Sequence, residues 1–186
     1  MTADAYYDKI EAHYAASWSP PVARLRWALG PIHELPTSFS ILVMPRADQT
    51  MAYATAGMSR ISDTDRLEVH LLARADAEDV GGHLTELLTA IAHYHQHGAS
   101  LGLGHTVNFG QPWLRGSRCT HGLLSLPYLD GPSLEWMEEP RVRFLWLVPI
   151  TEEEVAFKKA HGLDSLEERF ESHQFDYLDP YRASVV

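Results

Sequence analysis

Apolar positions along the chain change period several times, and each change marks an element. Tyr6, Tyr7, Ile10 and Tyr14 recur at helical spacing, so the pattern predicts a first amphipathic helix that ends before Pro20 and Pro21. From Phe39 to Met44 the run is almost wholly apolar and Pro45 closes it, the mark of a short buried strand; a second strand is expected at Met51 to Ala56. Leu67, Val69 and Leu71 alternate with Glu68 and His70, which predicts a half-buried strand in the same sheet. The clearest helix follows Asp76 as its N-cap and sets Val80, Leu84, Leu87, Leu88, Ile91 and Tyr94 along one face before Gly98, with Gly81 and Gly82 weakening only its first turns.

Beyond that helix the pattern predicts short strands at His105 to Phe109 and Leu123 to Leu126, with loops at Gln111 to Gly116 and Tyr128 to Pro140. The last strand is expected over Val142 to Val148. Thr151 with Glu154 then forms a capping-box pair that should open a helix ending near Gly162, and Ser165 with Glu168 repeats the pair for one more helix. Neither an internal repeat nor a flexible linker divides the chain, so residues 1–186 are expected to form a single domain.

Composition adds limits. Apolar residues at 45% and charged residues at 22% are ordinary globular values and exclude a disordered chain. The most apolar stretch, Phe144 to Ile150, is far shorter than the ~20 residues of a membrane helix. Asp4, Asp8, Lys9 and Glu11 interrupt the segment where a signal peptide needs an apolar run. Cys119 has no second cysteine to pair with, and a cytoplasmic protein is expected.

Net charge is -10, and its distribution matters more than its size. Residues 151–180 carry nine carboxylates against Lys158, Lys159 and Arg169. An acidic chain lacks the footprint that phosphate recognition needs, so nucleic acid is not expected as a partner, whereas a basic protein is.

Three groups of residues invite a chemical reading. His93 and His97 are four apart on a predicted helix and share a face with room for one cation, with His95 between them. Tyr94 stands where a zinc protease needs its glutamate, two ligands do not make a site, and no metal is expected. Cys119 and His121 would share a side of an extended segment, but neighbours on one strand seldom gain the orienting third group of a nucleophilic site. Gly98, Gly102 and Gly104 match neither a phosphate loop nor a dinucleotide fingerprint and read as a helix stop and a turn. No cofactor and no catalytic residue are therefore expected. The alternative is a small intracellular enzyme of hydrolase type whose site residues meet only in space.

One order of motifs carries more than any of these. Thr55-Ala-Gly-Met-Ser59, Leu67-Glu-Val-His-Leu71 and Val142-Arg-Phe-Leu-Trp-Leu-Val-Pro-Ile-Thr-Glu-Glu-Glu154 follow one another, with Gly104-His-Thr-Val107 and Ser117 between. In that order they resemble the suppressor-of-fused family over roughly residues 32–168. The resemblance implies an α/β fold with a mixed β-sheet flanked by helices, and a function in binding. Animal members hold transcription factors in an inactive complex with the help of a second domain. The length of this chain places the resemblance with the single-domain bacterial type, which implies an immunity protein that neutralises a toxin by direct binding. The resemblance also marks Tyr53, four residues before Gly57, as a strand aromatic that helps contact a partner peptide. Helical spacing adds Glu167, Glu168 and Glu171 as a negative patch for a basic partner, with Leu166 and Phe170 anchoring the opposite side.

Overall fold

A computed structural model describes residues 2–75 and 80–186, so the expected N-cap Asp76 lies outside the described residues. In chain order the elements are α1 (Ala3–Ser17), β1 (Ala23–Leu25), a 3-10 turn (Gly30–Glu34), β2 (Ser40–Pro45), β3 (Thr50–Ala56), β4 (Leu67–Arg74) and α2 (Val80–His97). They continue with β5 (Thr106–Asn108), β6 (His121–Ser125), α3 (Pro132–Glu135), β7 (Trp136–Glu138), β8 (Arg141–Ile150), α4 (Glu152–His161) and α5 (Leu163–His173).

The strands form one mixed sheet in the order β1-β2-β3-β4-β8-β6-β5, and β7 folds back on the start of β8. Among the described residues only the central pair β4 and β8 runs parallel, so the path between them has to cross the sheet, and α2 lies within that crossover. Residues alternate between two apolar layers. Leu42, Ala54, Leu72, Phe144, Trp146 and Val148 face the layer that holds α1, α4 and α5, whereas Ile41, Tyr53, Val69, Leu71, Leu145 and Leu147 face the layer that holds α2. Both sides of the central strands are thus covered, as a parallel pair requires. On β3 the first layer receives Ala52, Ala54 and Ala56, whose small side chains leave room for Tyr6, Ile10 and Tyr14 of α1. Among the described residues no helix is long and apolar enough to cross a membrane.

Four expectations need correction. The alternation in β4 does not mean a half-buried strand, because Glu68 and His70 are fully buried under α1. Glu68 is tolerated there by hydrogen bonds: Thr55 Oγ1 lies 2.6 Å from its carboxyl group, and the Gly57 and Met58 backbone N–H groups each donate to it at 3.1 Å. Gly57 makes this turn at φ +94°, and a Cβ on it would stand 2.3 Å from the Tyr7 ring. Residues 128–140 are not all loop, since α3 and β7 lie within them; Asp130, at their start, accepts from Trp18 Nε1 at 2.7 Å and Arg46 Nη2 at 2.8 Å. Tyr94 is 46% exposed, because it sits on the flank of the stripe that buries Leu84, Leu87, Leu88 and Ile91. Finally, α5 does not start at Ser165. Gly162, at φ +93°, ends α4 and opens α5 at once, which puts Ser165 inside the helix.

Candidate functional site

The acidic segment builds a groove, and its parts come from four stretches of chain. Ser125 and Trp146 sit opposite each other on β6 and β8 and, with Val148, form the floor. One wall is α5, held to the core by the fully buried Leu166, which presents Glu167, Phe170 and Glu171. At Gln174 the chain turns through a left-handed conformation (φ 46°) and brings Phe175 back onto Phe170, with ring centroids 4.4 Å apart. Tyr177 then meets Trp146 edge to face at 5.0 Å. Tyr128 and Leu129, both exposed, form the lip of a space of about 350 Å³.

The chemistry of this groove is aromatic and negative. Glu167 accepts hydrogen bonds from Ser125 Oγ at 3.0 Å and Tyr128 Oη at 3.3 Å, which fix its carboxylate at the rim. Partial burial, then the charge of Glu167, push the Tyr128 hydroxyl above its usual range and keep it a donor. Arg182 stacks behind Phe175 at 4.8 Å, but its charge is taken up by Glu154 in a buried pair. The Trp146 indole N–H is buried and, among the described residues, has no hydrogen-bond partner. Stacked rings and two carboxylates together suit a basic side chain: the cation reaches the carboxylates and its aliphatic stem lies on the rings.

A family model described as suppressor of fused protein (SUFU) matches residues 36–183. The chain belongs to the suppressor of fused family. A solved SUFU homolog from Neisseria gonorrhoeae FA 1090 is 31% identical, with a TM-score of 0.84 and 98% of each chain covered. Two more distant structures share the fold. A chain from the Sufu–Fu complex has a TM-score of 0.70 at 14% identity, covering 97% of this chain and 92% of its own, and Drosophila Suppressor of Fused has 0.66 at 16%, covering 95% and 50%. No curated protein matches the chain.

Within this SUFU domain the residues singled out in the sequence are separated. Glu167 and Glu171 come together in the groove, but Glu168 turns toward α4 and lines a different depression beside Phe157, His161 and Arg169. The three glutamates therefore do not form one patch, because successive helix positions are about 100° apart. Glu154 leaves the acidic surface altogether, being fully buried against Arg182. Tyr53 lies in the opposite layer under the first turn of α2, 8% exposed, where burial raises its hydroxyl pKa. Cys119 is buried, and desolvation pushes its thiol up, the reverse of an activated nucleophile. Ser125, Tyr128, Trp146, Phe175 and Tyr177 join this groove only through the fold, and local pattern does not mark them as site residues. The signal that points to them is the run of aromatics Phe170, Phe175 and Tyr177 inside an acidic segment, which a helical wheel of α5 alone does not show.

Proposed function

We propose that this SUFU domain is a protein-binding module that acts as a bacterial, cytoplasmic immunity protein and neutralises a basic toxin by direct binding. The observation that carries the binding reading is the groove itself, where Glu167 and Glu171 flank the aromatic rings of Trp146, Phe170, Phe175 and Tyr177. A lysine or arginine of the partner would enter it. Two further points support the reading: the net charge of -10 favours encounter with a basic protein, and the family includes a chain solved as the Sufu–Fu complex.

The test begins with affinity capture of the partner from native cells, followed by kinetics with Glu167→Lys combined with Glu171→Lys after circular dichroism has confirmed the fold. Association should slow by about tenfold or more at low salt, and the difference should shrink as salt rises. Unchanged kinetics would remove the groove from the interface. Immunity is tested separately: co-expression of the chain should restore growth to cells that express the captured partner. A partner without toxicity would end the immunity reading and leave the binding reading standing.

A further inference from the structure

On the α2 side of the sheet, away from the groove, the 3-10 turn Gly30–Glu34 packs on the last turn of α2. His93 Nε2 lies 2.6 Å from Glu34 Oε2, and the His93 and His97 rings stack with centroids 4.5 Å apart. Ligand atoms of Glu34, His93 and His97 all fall within 4.8 Å of one another. The sequence offers the two histidines as a pair without partners; the fold supplies the third member from a segment about sixty residues away.

His97 is also oriented. Its Nδ1 is 3.2 Å from the His93 carbonyl oxygen, which only accepts, so Nδ1 carries a hydrogen and Nε2 is the nitrogen left to meet a cation. The hydrogen bond from His93 holds the Glu34 carboxyl below its usual range, and His33, with Nε2 3.7 Å from the other carboxylate oxygen, adds to the effect when charged. We infer that Glu34, His93 and His97 form a binding site for a divalent first-row cation, Zn²⁺ above all. Two imidazoles and one carboxylate are a ligand set that zinc accepts, with the fourth position left to water or to a side chain of a partner. On binding, the cation takes the place of the proton that His93 Nε2 shares with Glu34. The site is open to solvent, so the metal clamps the turn to α2 and is not needed for folding.

The experiment uses the untagged full chain, stripped with chelator, dialysed and titrated calorimetrically with ZnCl₂. One equivalent should bind, and the melting temperature should rise with added Zn²⁺ and return on chelation with the chain still folded. His93→Ala or His97→Ala should each weaken binding by about tenfold or more, and Glu34→Gln by a similar factor, whereas His173→Ala on α5 should leave it unchanged. Co²⁺ gives an independent readout, a visible ligand-field band that the same three substitutions abolish. These side chains sit at the surface, so their loss leaves the fold intact by circular dichroism. Absence of uptake by the wild-type chain, or equal affinity and stoichiometry in His97→Ala, would overturn the site.

Discussion

Glu68 shows how a single carboxyl group joins a family motif to the core. Burial lifts its pKa to about 8, even against the hydrogen bonds that oppose the shift, so the group is largely protonated at neutral pH. Thr55 Oγ1 donates to Glu68 Oε2 at 2.6 Å and accepts from the Val69 N–H at 2.9 Å, which ties the carboxyl group to the backbone of β4. The pH dependence follows from the sign of the shift. A carboxyl whose pKa rises from 4.5 to about 8 on folding stabilises the fold below 4.5 and loses that contribution as pH climbs toward 8. His70 works the other way: burial, then Arg46, lower it from 6.5 to about 3, so its contribution is present above 6.5 and lost on acidification. Between pH 6.5 and 8 Glu68 is the one of the two that titrates. Urea unfolding should therefore show wild-type stability falling by up to about 2 kcal/mol over that interval, and Glu68→Gln should remove most of the slope. Parallel profiles for the two proteins would mean that Glu68 is ionised throughout.

Among the elements, α4 is the hinge point between the sheet and the acidic surface. Its capping box is complete: Glu154 N–H donates to Thr151 Oγ1 at 3.3 Å, and Thr151 N–H donates to Glu154 Oε2 at 2.8 Å. The same glutamate then receives Arg182 in two bonds of 2.6 and 2.7 Å, while Arg182 also donates to the Pro149 carbonyl at 2.9 Å and Val185 N–H donates to Glu154 at 3.1 Å. One buried carboxylate thus caps a helix and ties the C-terminal segment to the end of β8. Arg182→Ala leaves that charge buried and unpaired, and should cost about 3–5 kcal/mol in chemical denaturation. Arg182→Lys should recover only part of the loss, because a lysine cannot donate in parallel to both oxygens. Full recovery by lysine would show that the charge alone matters and the forked geometry does not.

At the scale of the whole molecule, stability rests on the double coverage of β8. Leu145 and Trp146 are neighbours that point into opposite layers, and both are buried. Leu145→Ala should destabilise the fold by about 2–5 kcal/mol with no change in the groove, whereas Trp146→Ala should weaken both packing and partner binding. Stability like that of the wild type in Leu145→Ala would place the strand at an open edge, contrary to the covered centre found here. Much of this architecture was legible in the chain itself. Helical and strand periods located α1, α2, β2, β3, β4 and β8, and the capping pair located α4, because these signals depend on neighbours within a few residues. The order of the motifs pointed to the SUFU family for the same reason. Periodicity could not say that the polar side of β4 is also buried, since that depends on α1 lying over it. Nor could it separate Glu168 from Glu167 and Glu171, withdraw Glu154 to Arg182, or bring Glu34 to His93 and His97. Each of those outcomes joins residues far apart in sequence, so local pattern determined the elements while only the packing of elements decided which side chains meet.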